Sequence, residues 1–247
     1  MDGEKELLIE VFGESSSSEE EEESEIEYES RPNQCWERVE QIEGLWLCRD
    51  FLSPQRQSSL LSLIHNEGWF TEASHNQAMR FGELPTWAFE LSDSIRDGVI
   101  SSCHGALDPL EPESYTGQNE VCPFPSDILW REPLFDQLIV NVYHPGEGIC
   151  AHVDLMRFED GIAIVSLESS CVMHFSQAEP EGTTSDSVRT KIPVYLTPGS
   201  LVLMSGEARY LWKHEINRKP GFQKWKGEEI NQKKRTAITL RKLRLVE

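Results

Sequence analysis

The sequence predicts an α+β protein in which a double-sheet jelly roll (a double-stranded β-helix) follows N-terminal helices. Short apolar or alternating runs bounded by turn residues recur through the second half of the chain, which is typical of a jelly roll. The first half contains a helix start, Ser53-Pro54, because serine caps a helix and proline fits its first turn. With 247 residues, 38% of them hydrophobic, the chain suits one domain with a sizeable core.

The individual elements are predicted from local pattern. Residues 44–52 favour a strand, and the helix after Ser53 would bury Leu60, Leu61, Leu63 and Ile64 on one face. A second helix is predicted over residues 91–100. The predicted strands of the jelly roll are residues 138–143, 162–167, 171–175, 192–196, 200–204 and 235–241. Three stretches are predicted as loops, residues 108–125, 177–190 and 217–233, the last of them flexible.

Negative charge is concentrated at the N-terminus. Residues 1–30 carry thirteen acidic residues and one lysine, which is −12 of the formal net charge of −20. Low hydrophobicity and a block of like charge predict a disordered acidic tail over residues 1–30 and a folded domain over residues 31–247. Serines at positions 15–18 precede glutamates and could be phosphorylated, although we favour a plain solubilising tail.

The C-terminal part of the chain is basic in spite of the total charge. A local basic face can bind phosphates on a negatively charged molecule, but the same residues could equally form an ordinary solvated surface. The residues concerned are Lys213, Arg218, Lys219, Lys224, Lys226, Lys233, Lys234, Arg235, Arg241, Lys242 and Arg244.

The composition also indicates the cellular compartment. No apolar run reaches the roughly 18 residues that a membrane-spanning helix needs. The N-terminus lacks the basic start and apolar block of a secretory signal. Six cysteines are scattered without a Cys-x-x-Cys pair, which favours reduced thiols over a disulfide framework. We expect a monomer located in the nucleus, the cytoplasm or both, with no membrane partner.

A metal-binding pattern begins at His152-Val153-Asp154. On an extended backbone residues i and i+2 point to the same side, so His152 and Asp154 can converge on one point. With a distant histidine they would form the two-His-one-carboxylate face that holds Fe(II) and leaves positions open. A His-x-Asp alone is a weak signal. His214, after an apolar-aromatic run, is the candidate third ligand, although alone it would more often be structural.

Four short motifs follow one another along the chain: Asn141-x-Tyr143, His152-x-Asp154, His214 and Arg235-x5-Arg241. In this order they resemble the AlkB-type Fe(II)/2-oxoglutarate dioxygenases, and the resemblance covers residues 44–243. The sequence of residues 206–214, Gly-Glu-Ala-Arg-Tyr-Leu-Trp-Lys-His, is most similar to the branch that hydroxylates modified wobble uridines in tRNA.

The resemblance implies a complete cofactor site. His152, Asp154 and His214 would hold Fe(II), and O2 would be the second cosubstrate beside 2-oxoglutarate. Arg235 can pair with the distal carboxylate of 2-oxoglutarate through two charge-assisted hydrogen bonds. Arg241 lies an even number of residues further and faces the same side of a strand. The implied 2-oxoglutarate residues are Asn141, Tyr143, Arg235 and Arg241. Without the family context, Asn141 and Tyr143 would be half-buried strand residues and the two arginines strand-edge surface residues.

The resemblance also implies a nucleotide-recognition lid near residues 77–87. Arg80, Phe81 and Trp87 are its candidate substrate residues, because aromatic rings stack on bases and arginines pair with phosphates. The alternative is that Trp87 packs beneath a surface loop.

The implied reaction is hydroxylation or oxidative demethylation of a modified nucleobase, in RNA (above all tRNA) rather than DNA. Leu155 and Met156 follow the His-x-Asp where some relatives carry a polar substrate contact, which speaks against repair of simple alkylated DNA bases. The alternatives are the same chemistry on alkylated DNA, a protein or a small molecule, and a non-catalytic binding module with this fold.

Overall fold

A computed structural model describes residues 35–72, 74–103, 122–178 and 191–244. The predicted tail, residues 1–30, lies outside these ranges. The helices are α1 (Pro54–Asn66), α2 (Thr86–Ser102), α3 (Ser126–Leu129) and α4 (Gly206–Tyr210). The strands are β1 (Trp36–Arg38), β2 (Leu45–Cys48), β3 (Gln77–Phe81), β4 (Gln137–Tyr143), β5 (Ile149–His152), β6 (Ile162–Leu167), β7 (Cys171–Gln177), β8 (Ile192–Leu196), β9 (Leu201–Met204), β10 (Trp212–Ile216), β11 (Lys224–Trp225), β12 (Glu228–Glu229) and β13 (Arg235–Arg241).

The two N-terminal helices follow their sequence signals with different accuracy. The Ser53 side chain accepts a hydrogen bond from the Arg56 backbone N–H at 3.3 Å, so the predicted cap of α1 is confirmed. Helix α1 buries Leu60 and Ile64 but leaves Leu63 exposed, so its apolar face is narrower than predicted. Helix α2 begins directly after Pro85, five residues before the predicted start.

Two antiparallel sheets form the predicted jelly roll. The large sheet has seven strands in the order β1-β2-β9-β6-β13-β4-β3, and the small sheet has four in the order β5-β10-β7-β8. Strand β13 lies between β4 and β6 and pairs with both. On β4, Tyr143 lies opposite Arg235 and Asn141 lies opposite Ala237. Because side chains alternate across a strand, one face of β4 and β13 points towards the small sheet and the other towards the helices.

Apolar residues form a core on each side of the large sheet. The first core lies between the helices and the large sheet and includes Leu91 and Ile95 of α2 with Ile238 of β13. The second lies between the sheets and includes Ile164 of β6 and Phe175 of β7. The first core holds one face of β13 in place through Ile238 and Leu240, which gives the polar residues on the opposite face a rigid support.

The segment from residue 217 to residue 233 differs from its prediction as a flexible loop. Arg218 and Gln223 are buried, and Arg218 donates to the backbone carbonyls of His144 and Lys233 at 3.2 and 2.6 Å. Gln223 exchanges two hydrogen bonds with the backbone of Val172. Strands β11 and β12 pair as a short hairpin within the segment. Two buried polar side chains therefore anchor a stretch whose composition is that of a loop.

The cysteine prediction is wrong for one pair. Cys103 and Cys122 form a disulfide; their Cα atoms are 5.4 Å apart, and the two residues are separated by 19 positions in sequence. The other described cysteines, Cys35, Cys48, Cys150 and Cys171, are free. The sequence carried no signal for this pairing, because it depends on the end of α2 meeting the segment before α3. Among the described residues, no helix is long and apolar enough to cross a membrane.

Candidate active site

Three potential metal ligands meet between the two sheets. His152 ends β5, His214 lies in the middle of β10, and these two residues are directly paired across the antiparallel strands. Asp154 follows β5 by two residues. One ligand atom from each of the three side chains lies within 4.8 Å of the others, and the two imidazole ring centroids are 4.3 Å apart. The small sheet thus positions both histidines, and the chain leaving β5 brings in the carboxylate.

Burial prepares the imidazole of His214 to act as a neutral ligand, and a backbone contact orients that of His152. Burial lowers the pKa of His214 from 6.5 to about 4, although the neighbouring Asp154 carboxylate opposes this shift. His214 is therefore neutral at physiological pH. The Nδ1 of His152 donates to the Cys150 carbonyl at 2.8 Å, which leaves Nε2 as the free ring nitrogen. A backbone partner of this kind is how metal-binding histidines are usually oriented.

Two buried arginines hold Asp154. Arg241 of β13 forms an ion pair with the Asp154 carboxylate, and its Nε donates to Gln137 Oε1 at 2.6 Å. Arg209 of α4 donates to the backbone carbonyls of Asp154 and Leu155 at 3.0 and 2.8 Å. The side chain and the backbone of Asp154 are thus fixed by different residues. This arrangement orients the carboxylate towards His214, whose Nε2 lies 3.7 Å from Asp154 Oδ2.

A second charged position lies in the same cavity, on the large sheet. Arg235 is 1% exposed, and its guanidinium carbon lies 5.6 Å from the centre of the Tyr143 ring. Its Nη2 donates to Ser166 Oγ at 2.8 Å, but its buried Nε has no hydrogen-bond partner. Burial raises the pKa of Tyr143, against the opposing effect of Arg235, so Tyr143 is a neutral hydrogen-bond donor.

The neighbouring Asn141 also lines this cavity, together with Ile164 and Met173 of the apolar layer. Its Oδ1 accepts a hydrogen bond from Gln77 Nε2 at 2.6 Å, which leaves the amide nitrogen of Asn141 available to a ligand. Strand β3 pairs Gln77 with Asn141, so the two side chains share a face of the sheet.

The donor set fits both groups that the predicted chemistry needs. Two imidazole nitrogens and one carboxylate form a three-ligand face that suits Fe(II). The unpartnered Arg235 Nε, beside the Asn141 amide and the Tyr143 hydroxyl, suits a carboxylate, because a buried donor without a partner is costly until an anion satisfies it. All seven predicted metal and cosubstrate residues line one cavity; they are Asn141, Tyr143, His152, Asp154, His214, Arg235 and Arg241.

The three predicted substrate residues do not lie together. Phe81 is 46% exposed on β3, an edge strand of the large sheet. Arg80 is exposed, and its guanidinium lies 4.4 Å from the centre of the Trp69 ring. Trp87 is 5% exposed in the core beneath the helices, and its Nε1 donates to Glu67 at 2.9 Å. The prediction that Trp87 contacts substrate is therefore wrong, because α2 turns its side chain into the core.

Several residues that support the site were not predicted from the sequence. Arg209 was noted only as part of the motif of residues 206–214, and Gln77, Gln137 and Ser166 were assigned no role. The single available signal was the even spacing of Gln77 from Phe81 along a short run, which places both on one face if the run is a strand.

Fold and site together define a class of protein, a jelly-roll oxygenase with a two-histidine, one-carboxylate metal centre. The sequence profile described as the 2OG-Fe(II) oxygenase superfamily matches residues 44–241. The chain therefore belongs to this superfamily and is an Fe(II)- and 2-oxoglutarate-dependent dioxygenase. The superfamily uses Fe(II), 2-oxoglutarate and O2, and His152, Asp154 and His214 provide the corresponding triad.

Relatives confirm the AlkB-like character. The tRNA (carboxymethyluridine(34)-5-O)-methyltransferase alkbh8 of Xenopus tropicalis is 33% identical over 175 residues, covering 70% of this chain and 25% of that protein. The alkylated DNA repair protein ALKBH8 homolog of Arabidopsis thaliana is 30% identical over 226 residues, covering 82% of this chain and 59% of that protein. The chain thus spans about a quarter of the first relative and less than two thirds of the second.

A solved structure confirms the fold. The structure of OsALKBH1 matches with a TM-score of 0.50 at 14% identity, covering 81% of this chain and 96% of that chain.

Proposed function

We propose that this dioxygenase oxidises a modified nucleobase in RNA, in particular in tRNA, by hydroxylation or oxidative demethylation. The observation that carries the oxygenase part is the convergence of His152, Asp154 and His214 beside the buried, unpartnered Nε of Arg235. The choice of substrate is supported by the exposed apolar side chains at the cavity mouth and by the ALKBH8 relatives, whose names refer to tRNA or to alkylated DNA.

Each site residue has a role in this proposal. His152, Asp154 and His214 would hold Fe(II), and bound Fe(II), 2-oxoglutarate and O2 supply the oxidising chemistry. Arg235 would bind the distal carboxylate of 2-oxoglutarate. Tyr143 and Asn141 would donate hydrogen bonds to the same cosubstrate, and Arg241 orients Asp154 through their ion pair.

The mouth of the cavity suits a flat, partly apolar substrate. Gln77 lines the cavity, so Met79 and Phe81, at i+2 and i+4, continue the same face of β3. Both are exposed, as are Leu155 and Met156 directly after Asp154. Exposed apolar and aromatic side chains beside a catalytic centre provide stacking surface for an unpaired base, and RNA is recognised largely through unpaired bases.

The test is a direct assay of the products. Purified protein is incubated with Fe(II), 2-oxoglutarate and total cellular RNA, and the nucleosides are profiled by mass spectrometry. A matched incubation uses genomic DNA, and an Asp154→Ala variant provides the blank. We expect one modified nucleoside to be consumed in RNA with matching formation of an oxidised product. Oxidation confined to DNA, or no change in any nucleoside although 2-oxoglutarate is consumed, would reject the proposed substrate class.

A further inference from the structure

Two exposed arginines lie side by side next to the cavity mouth. The Arg244 backbone N–H donates to the Arg157 carbonyl at 2.9 Å, and the adjacent residues Phe158 and Leu243 form an antiparallel bridge. Arg157 follows the metal-ligand candidate Asp154 by three residues. Neither arginine forms an ion pair with any other residue in the part of the chain that the structure describes, so both positive charges are available to a ligand.

The guanidinium of Arg157 is held in place by aromatic rings. Its carbon lies 5.6 Å from the centre of the exposed Phe81 ring and 5.0 Å from that of the buried Phe158 ring. A guanidinium packed against rings loses little further freedom when it binds an anion. The contact with Phe81 also connects β3, on one side of the mouth, to the loop after Asp154 on the other.

Further positive charge lies behind these two arginines. The guanidinium carbon of Arg241 lies 4.0 Å from the centre of the same Phe158 ring that Arg157 contacts. Arg209 donates to the Phe158 backbone carbonyl at 3.1 Å. Arg241 forms an ion pair with Asp154. Positive charge is thus concentrated beside the mouth of a protein whose net charge is −20.

We propose that Arg157 and Arg244 form a phosphate-binding site for the backbone of a single-stranded nucleic acid whose base enters the cavity beside Phe81. This inference rests on the proposed nucleobase substrate. Paired guanidinium groups bind phosphate oxygens well, because each offers two parallel N–H donors. The exposed apolar side chains of Phe81, Leu155 and Met156 lie beside these arginines and can stack on the base next to a bound phosphate. An acidic peptide offers negative charge but no such base.

The experiment compares Arg157→Gln, Arg244→Gln and the double variant with wild type. Arg56→Gln is the matched control, because Arg56 is an exposed arginine of α1, in the helical layer, and its side chain has no described partner. The probe is a fluorescein-labelled single-stranded RNA oligonucleotide, titrated by fluorescence anisotropy over a series of salt concentrations. Circular dichroism melting of every variant establishes that it is folded.

We expect each substitution to weaken binding and to make the slope of log K against log salt about 0.7 less negative, the value for one lost single-strand phosphate contact. The double variant should lose both contacts and bind on the order of tenfold or more weakly, while Arg56→Gln matches wild type. Wild-type affinity and slope in the folded double variant would overturn the proposal. So would equal losses by Arg56→Gln, which would mean that only total charge matters.

A second arm identifies the kind of anion. Polyglutamate of similar length replaces the oligonucleotide, and it should bind far more weakly than RNA to wild type. Equal affinity for both polymers would overturn the phosphate assignment in favour of an acidic protein partner. These results are independent of the nucleoside assay. If the wild-type protein oxidises RNA but the double variant binds RNA normally, the arginine site is refuted and the proposed function is retained.

Discussion

Replacing Arg235 by methionine should separate cosubstrate binding from folding. Arg235 is 1% exposed, its Nε has no partner, and its side-chain hydrogen bond to Ser166 Oγ measures 2.8 Å. In the absence of an anion the protein therefore buries a charge without a counter-charge. Methionine has a similar length and no charge, so Arg235→Met should leave the stability of the cosubstrate-free protein unchanged or raise it.

The same substitution should be costly for 2-oxoglutarate. Breaking a buried pair by removing one charged partner costs about 3–5 kcal/mol, which corresponds to roughly two to four orders of magnitude in the dissociation constant. Metal affinity should change little, because Arg235 contacts Tyr143 and Ser166 and none of the three ligand candidates. The expected signature is thus a folded, metal-binding protein that no longer saturates with 2-oxoglutarate.

The assay is isothermal titration of 2-oxoglutarate into protein loaded with Mn(II), with urea unfolding of the metal-free protein in parallel. Arg235→Lys is the matched variant, since it keeps the charge but lacks the planar fork, and its loss should be smaller. Equal 2-oxoglutarate affinity in wild type and Arg235→Met would refute the role of Arg235. A large fall in stability without a change in affinity would make it a structural residue.

Three further predictions concern the metal centre and the tail. Asp154→Ala should abolish 2-oxoglutarate decarboxylation and weaken metal binding, because it removes the one anionic ligand candidate; decarboxylation retained in this variant would reject the triad. The pKa of His214 is about 4 in the folded protein against 6.5 as the ordinary value. Its contribution to stability is therefore complete above the unfolded pKa and is lost as pH falls towards 4. At about 1.36 kcal/mol per unit this amounts to roughly 3 kcal/mol. In urea unfolding of metal-free protein, His214→Gln should lose correspondingly less stability than wild type on acidification, and parallel pH profiles would contradict the assignment. Deleting residues 1–30 should leave the melting temperature and 2-oxoglutarate turnover nearly unchanged, whereas a large drop in melting temperature would mean that the tail contributes to folding.

Five strands of the large sheet, β2, β4, β6, β9 and β13, were predictable because their patterns are local. Strand β13 has the predicted bounds, and β4 begins one residue before its prediction. Both combine β-branched residues with polar residues at alternate positions, so the sequence determines which side chains share a face. Strand β3 was not predicted as a strand. It is an edge strand with one neighbouring strand, and most of its residues are exposed, so its sequence lacks the alternation of buried and exposed residues that predicts a strand.

Contacts between distant segments were not predictable in the same way. Arg241 meets Gln137 across 104 residues, and Arg209 meets Asp154 across 55. Nothing in the local sequence distinguishes a buried arginine that donates hydrogen bonds to backbone carbonyls from an arginine exposed to solvent. The metal triad was predicted without such contacts because it combines a local spacing, His152-x-Asp154, with a family-specific order. Trp87 was assigned wrongly because an aromatic residue close to a site in sequence can equally well pack in the core.

Asp154 links the two sheets, so its substitution has two separate effects. It belongs to the triad with the two histidines of the small sheet, and it also neutralises Arg241 of the large sheet. Asp154→Ala therefore removes a ligand and leaves a buried arginine unpaired, a change that by itself costs several kcal/mol. Adding Arg241→Met to Asp154→Ala should restore much of the lost stability, because the unpaired charge is gone, but it should restore no decarboxylation. If the double variant regained stability and activity together, Asp154 would act on Arg241 alone and the metal centre would have to be placed elsewhere. If it regained neither, the ion pair would not be the contact that joins the sheets.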